Sequence, residues 1–289
     1  MKNLTVVIVT LKSDHVIDHC IKSIDKSVKI LVVENSNNFD FKKKIEKKYK
    51  NVSCILSGSN IGMGAANNIG INKAKSDFVL IMNPDVILFK HTIVSLFRAI
   101  KKIKDFTIIS PLSSNLKYPN YSTKKKNLNF KQIFEVDSLD GYCMLMNKKK
   151  IMKFSKNKKI FDENFFMYLE NDDLCKRIKN RNEKIYIVPS CKIKHLGAQA
   201  VSKNLYREVE LSRNWHWSWS KFYFSKKYHG YIYSLLKVLP KFLSSLIKGI
   251  FYLLIFKEFE SKIYFNRAFG FFNGILGKPS WYRPKLDLD

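Results

Sequence analysis

The sequence predicts an α/β fold: a mostly parallel central sheet with flanking helices, plus a C-terminal helical extension. Three observations predict it. Short β-branched runs recur through the N-terminal half, with helix-period stretches between them. Polar or acidic residues stand just past the ends of several of those runs. After about residue 225 the composition turns aromatic, leucine-rich and basic.

The elements follow in order. Leu4 to Thr10 is an unbroken run, the pattern of a strand buried on both faces. Ile17, Cys20, Ile21 and Ile24 come next at helical spacing. Lys29 to Val33 reads as a second strand, closed by Glu34-Asn35-Ser36. Lys42 to Tyr49 reads as a basic helix and Val52 to Leu56 as a third strand. The glycine-rich stretch Asn60 to Gly70 leads into another helix. Phe78 to Met82 is a fourth strand, stopped at Asn83-Pro84-Asp85. Thr92 to Ile103 is an amphipathic helix and Thr107 to Ser110 a fifth strand. Such alternation predicts right-handed crossovers, with ligands at the carboxyl ends of the strands. Glu34, Asn60 and Asp85 all fall at such ends. Leu112 to Phe134 is polar and lysine-rich, as in a long surface loop, and Asp140 to Met146 and Ile185 to Ile193 read as further strands.

The chain has 289 residues, room for one large domain or a domain with an appendage. A hydrophobic fraction of 46%, with 14% aromatics, excludes a disordered chain. The formal charge of +28 suits an anionic membrane, a phosphorylated substrate or nucleic acid, or lysines that merely decorate solvated faces. Five cysteines, none in C-x-x-C spacing, argue against a disulfide framework or zinc knuckle and for a reducing, cytoplasmic setting. Leu4 to Val9 is too short for a signal peptide. Phe242 to Phe256 is apolar nearly all round. As a helix it would be about 22 Å long, short of the roughly 30 Å of a hydrocarbon core. With Lys237, Lys241, Lys257 and Lys262 around it, it suits a helix lying on a membrane surface, or one packed on the rest of the protein.

Four places carry candidate chemistry. Asp85, behind a proline-stopped strand, projects a hard oxygen ligand from the sheet edge, unless it only caps a turn. Glu170-Asn171-Asp172-Asp173 opens a helix marked by Leu174, Cys175 and Ile178. Its acids suit the positive end of the helix dipole, and Glu170, beside an aromatic run, also suits a general base. His195, at a strand end, is a borderline ligand that can join Asp85 on Mn²⁺. Arg213 can clasp a phosphate with its planar fork, while Trp215 and Trp219 at i, i+4 face a core.

Taken in order, these segments resemble glycosyltransferase family 2, in its rhamnosyltransferase-like branch with the GT-A fold, over about residues 3 to 225. Val6 to Thr10 resembles the family's first strand, and Glu34-Asn35-Ser36 is similar to its Asp-Asn-x-Ser turn at the nucleotide base, with Glu in place of Asp. The segment Asn60-Ile61-Gly62-Met63-Gly64-Ala65-Ala66-Asn67-Asn68-Ile69-Gly70 resembles the donor-site segment most specifically. Asn83-Pro84-Asp85 looks like a reduced Asp-x-Asp motif, and Gly141-Tyr142-Cys143-Met144 like the sugar-pocket segment. Phe161-Asp162-Glu163 through Asp173-Leu174 resembles the block that holds the catalytic base, with Asn171 where an acid is expected. His195-Leu196-Gly197 looks like a metal-ligating His-x-Gly, and Arg213-Asn214 like a later diphosphate contact.

The resemblance implies an inverting, metal-dependent transfer of a rhamnose-like or other hexose from a dTDP- or UDP-sugar. Asp85 and His195 would hold Mg²⁺ or Mn²⁺. Thr10, Glu34, Asn60, Gly62, Asn67, Asn68, Asn83, Gly141 and Arg213 would bind the donor. Glu170 would be the base, with Asp172 or Asp173 in reserve. The acceptor would be a glycan or lipid-linked glycan for cell-surface polysaccharide, with the enzyme peripheral on the inner face of the membrane. Residues 1–225 would form the catalytic domain and 226–289 the extension. The alternatives are a polyprenyl-phosphate sugar transferase and a non-enzymatic nucleic-acid-binding protein. Dispersed basic residues and clustered acids weigh against nucleic acid. The Walker-type G-x-x-x-x-G-K-[ST] and the dinucleotide G-x-G-x-x-G are absent, which weighs against kinases and dehydrogenases.

Overall fold

The computed structural model describes residues 3–103, 105–115, 117–155, 157–197, 200–201 and 203–285. The chain divides into two compact units, Met1–Asp162 with Asn171–Ser202, and Glu163–Glu170 with Lys203–Asp289.

In the first unit the strands are β1 (Leu4–Thr10), β2 (Lys29–Glu34), β3 (Val52–Leu56), β4 (Phe78–Met82), β5 (Val86–Leu88), β6 (Ile108–Ser113), β7 (Tyr121–Ser122), β8 (Phe134–Glu135), β9 (Ser138–Leu139), β10 (Cys143–Asn147) and β11 (Ile185–His195). The helices there are α1 (Asp14–Lys22), α2 (Phe39–Lys48), α3 (Met63–Lys73), α4 (Thr92–Lys102), α5 (Lys148–Ile151) and α6 (Glu170–Lys179), whose first residue belongs to the second unit. The sheet runs β3-β2-β1-β4-β10-β6-β11-β5, with β8 beside β11 and a separate β7-β9 pair.

β1 to β4 are mutually parallel, as the alternating sequence predicts. The rest is mixed: β10 is antiparallel to both β4 and β6, and β5 and β8 are antiparallel to β11. The register places the site. Thr10 lies opposite Glu34, Cys143 opposite Met82, and His195 opposite Val86. Asp85, Tyr142 and His195 are thereby brought to one edge.

Burial on both faces explains the unbroken apolar run from Val6 to Val9 in β1. Val6 and Ile8 join the core formed with α1, α2 and α4, while Val7 and Val9 join the opposite core with α3 and α6. Each such buried side chain contributes about 1.5–3 kcal/mol. Gly70 is required for close packing, because a Cβ there would sit 2.3 Å from Val7 Cγ1.

The second unit contains α7 (Tyr206–His229), α8 (Tyr231–Leu254) and α9 (Glu258–Ile275), which pack on one another around Phe222, Val238 and Phe271. Its C-terminal strap is held to α7: Trp219 Nε1 donates to the Lys278 carbonyl at 3.0 Å, and His216 bonds Ser280 Oγ and the Tyr282 carbonyl. The apolar stretch from Phe242 forms only the latter part of α8, and the helix begins 11 residues earlier, at Tyr231. No helix among the described residues is long and apolar enough to cross a membrane.

Candidate active site

Four predicted donor-side residues meet in one hydrogen-bonded network. Thr10 Oγ1 donates to Glu34 Oε2 at 2.6 Å, and Ser36 Oγ donates to Glu34 Oε1 at 2.6 Å. Burial pushes the Glu34 carboxyl above its usual range, opposed by these two bonds. Asn35 joins the turn to the glycine-rich segment. Its Nδ2 donates to Asn60 Oδ1 at 3.1 Å and its Oδ1 accepts from the Ile61 amide at 3.1 Å. Asn60 Oδ1 also accepts from the Gly62 amide. Gly62 caps α3 at φ 90°, a left-handed value that favours glycine. The positive end of α3 then faces this edge, the arrangement that suits an anion.

The neighbouring asparagines are turned to structure. Asn67 Nδ2 donates to the Met63 carbonyl one turn back. Asn68 clamps another loop: its Oδ1 accepts from the amides of Ile160 and Phe161, and its Nδ2 donates to the Phe161 carbonyl.

The second cluster centres on Asp85, which is 2% exposed. Its Oδ1 lies 3.3 Å from His195 Nε2, yet among the described residues it makes no well-oriented hydrogen bond. The backbone fixes the pair, since the Leu196 amide donates to the Asp85 carbonyl at 3.0 Å. Tyr142 stacks on the His195 ring at 4.0 Å, and its carbonyl accepts from the Asn83 amide at 3.0 Å. Asp140, which the sequence reading took only as the start of a strand, also belongs here. Asp140 reaches the surface, but the protein crowded around it still pushes its carboxyl up by desolvation, the Asp172 charge adds to this, and His195 opposes it. Asp172 is likewise pushed up by burial, against a hydrogen bond with Ser138.

The start of α6 is tied to the segment before Gly141. Asn171 Nδ2 donates to the Leu139 carbonyl at 2.7 Å, and a Cβ on Gly141 would contact Asn171 Cβ at 3.4 Å. An aspartate at 171 would have no N–H to give. Asp173 is fully buried and accepts from Arg177 Nε at 2.8 Å, while Arg177 also donates to the carbonyls of Phe154 and Ile160. That set braces loops.

In the second unit, Arg213 Nε donates to Tyr168 Oη at 2.7 Å and pairs with Glu210 at 3.6 Å. These residues, with Asn214 and Trp217, line a hollow of about 310 Å³. Tyr168 and Leu169 are both left-handed, at φ 72° and 66°, immediately before buried Glu170. Two successive non-glycine residues in that region store strain of about 1–3 kcal/mol each, as functional sites often do. Trp215 and Trp219 are buried, as their spacing predicts.

Residues 5–178 match the glycosyl transferase family 2 domain, more than half of the chain. The chain belongs to glycosyl transferase family 2. It is 26% identical over 209 residues to the low-salt glycan biosynthesis hexosyltransferase Agl10 of Haloferax volcanii, a match over 64% of each chain. It is 25% identical over 195 residues to the rhamnosyltransferase WbbL of Escherichia coli, covering 57% of this chain and 72% of that one. Among solved structures it resembles GalNAc-T7, crystallised with UDP, GalNAc and Mn²⁺, at a TM-score of 0.56 and 15% identity over 78% of this chain and 50% of that chain. That likeness shows the GT-A-like fold.

For a family 2 chain, the Asp85–His195 pair passes a simple test for a divalent cation. Among the described residues no group of three or more His, Cys, Asp or Glu is placed to hold a metal ion. Two ligands suffice where diphosphate and water oxygens supply the others. A buried carboxylate oxygen lacking a hydrogen bond, facing an imidazole nitrogen, is a fitting donor set for Mg²⁺ or Mn²⁺. The sequence reading missed Asn35 and Asp140 as members of these clusters. Asn35 sat inside the recognised turn, and Asp140 directly precedes Gly141 at the mouth of β10.

Proposed function

We propose that this protein is an inverting, metal-dependent glycosyltransferase that uses a nucleotide diphosphate sugar. The acceptor hydroxyl attacks the anomeric carbon as its proton passes to Glu170. The new C–O bond forms as the bond to the diphosphate breaks, and the electron pair leaves with the nucleoside diphosphate. Asp85 and His195 hold Mg²⁺ or Mn²⁺, which when bound neutralises charge on the departing diphosphate. The edge formed by Thr10, Glu34, Asn60 and Gly62 binds the nucleotide, and Arg213 offers a cation to phosphate. The region 1–225 carries this chemistry.

The single observation behind the proposal is the buried Asp85 oxygen facing His195 at 3.3 Å. The UDP, GalNAc and Mn²⁺ of the similar structure support it, as do the hexosyltransferase and rhamnosyltransferase names of the relatives. A UDP- or dTDP-linked hexose, rhamnose-like included, is the donor class, and a glycan or lipid-linked glycan is the acceptor. The protein works in the cytoplasm, peripheral on the inner face of the cell membrane.

The test is a panel of nucleotide sugars with Mn²⁺, read by thermal shift and donor hydrolysis. One donor should stabilise the protein and be turned over. Glu170→Gln should keep donor binding and lose turnover by about 10²-fold or more. Unchanged turnover in that variant moves the base to Asp172, the half-buried acid whose charge acts on Asp140. No stabilising donor in the panel would overturn the proposal.

A further inference from the structure

The second unit presents an unusual face. At about 100° per residue, Ile232, Leu236, Leu243, Ile247, Ile250 and Leu254 of α8 share one arc roughly 60° wide. All six are exposed, Ile232 and Ile247 at 67% and Leu254 at 71%. Beyond the helix end, Phe256 is 92% exposed. The opposite side is occupied: Ser234, Val238, Ser245 and Gly249 are buried, and Ser261 Oγ of α9 donates to the Gly249 carbonyl at 2.8 Å. Phe242 is turned away from this arc, half-buried against the core of the three helices, where it stacks on Phe272 of α9 at 6.5 Å. Isolated exposed apolar residues need no explanation, but a continuous row along a whole helix does.

The charges on α8 identify the occupant. Lys237, Lys241 and Lys248 are all exposed and stand together along one flank of the apolar arc. No Asp or Glu lies between Tyr231 and Leu254. A second copy docked through this face would bring lysine rows together with no acid on either helix to offset them, on a chain already at +28. An anionic lipid surface supplies both the apolar layer and the countercharge. The helix is about 36 Å long, but three lysines interrupt it, which suits lying in the interface and not crossing it.

We infer that α8 is an in-plane membrane-docking helix, with its apolar arc among the acyl chains and its lysine flank on anionic headgroups. The inference rests on the proposed function only for its purpose, to bring the enzyme to a lipid-linked acceptor. Lipid binding needs no catalysis.

The experiment is co-sedimentation of the full chain with vesicles of phosphatidylcholine alone or mixed with phosphatidylglycerol, with hydrolysis of the preferred donor read in the same tubes. The wild type should pellet with the anionic vesicles and far less with the neutral ones, and salt should weaken the binding. Removing Lys237, Lys241 and Lys248 to serine should lower affinity about fivefold per lysine. Ile247→Glu with Ile250→Glu should abolish binding while leaving helix content unchanged, because both side chains are already exposed. Wild-type protein that stays in the supernatant with both vesicles overturns the inference. Equal binding by the lysine variant overturns the anionic specificity. A wild-type dimer that Ile247→Glu with Ile250→Glu makes monomeric, without change in lipid binding, assigns the face to a second copy. Vesicle binding without hydrolysis of any donor defeats the proposed function and leaves the docking helix standing. Hydrolysis without vesicle binding defeats the docking helix, and with it the membrane-peripheral placement, and leaves the proposed glycosyl transfer standing.

Discussion

Asn171→Asp isolates what the side chain at the start of α6 does. The amide Nδ2 donates to the Leu139 carbonyl at 2.7 Å, and Leu139 is buried. Aspartate has nearly the same shape but only acceptor oxygens when ionised, so two oxygens would face each other where a bond now lies. Leaving that carbonyl unsatisfied costs about 1–3 kcal/mol, and the nearby Asp172 and Asp140 add repulsion, so a loss of about 2–3 kcal/mol is expected. For a folded region of this size, each kcal/mol moves Tm by about 2–4 °C, giving a fall of roughly 4–12 °C at pH 7. The new carboxyl would have a raised pKa in the folded state. Its protonated form can donate to Leu139, so the deficit grows as pH rises through that pKa and closes below about pH 4. The assay is a thermal melt of both proteins from pH 3.5 to 8, with turnover at pH 7. Equal Tm at pH 7 refutes the amide's role, and a rise in turnover moves the proton acceptor from Glu170 to position 171.

Other expectations follow from particular groups. Glu34 is pushed up by burial, so its contribution to stability is present below about pH 4.5 and lost as pH rises; Glu34→Gln should raise Tm at pH 7 and match the wild type near pH 4, and a gain independent of pH would refute the cause. His216 is pushed down to about 3, chiefly by burial, and bonds Ser280 and Tyr282. Its stabilisation is therefore full above pH 6.5 and falls by up to about 1.4 kcal/mol per pH unit below it. Limited proteolysis should cut the C-terminal strap progressively faster in acid, and a His216→Gln variant should lose that dependence. Leu169→Ile adds a β-branch at φ 66° and should cost about 1–2 kcal/mol in a melt, with Leu169→Gly the milder change; the opposite order would remove the strain argument.

Much of the sheet was legible because β1, β3 and β4 are short β-branched runs bounded by polar turns, and their predicted ends coincide with the observed ones. The antiparallel insertion of β10 was not. Its residues are buried on both faces, and such a run looks the same whichever way the strand points. β5 was hidden by brevity, three residues directly behind the turn at Asp85. Asp85 and His195 were legible as strand-end residues, but their pairing depends on β5 and β11 lying antiparallel, which local pattern does not encode. The Asn60–Gly62 segment was legible because its spacing is specific, whereas the structural work of Asn68 depends on residues more than 90 positions away. Glu170 was expected just outside α6 and is its first residue. The grouping of 163–170 with the C-terminal helices is a long-range event with no local signal.

The measurement closest to the central claim is calorimetric titration of UDP, with and without Mn²⁺, into wild type and Asp85→Ala. The account predicts that Mn²⁺ tightens UDP binding to the wild type by at least tenfold and that Asp85→Ala, folded by circular dichroism, loses that enhancement. Equal Mn²⁺-dependent affinity in the two proteins would contradict it.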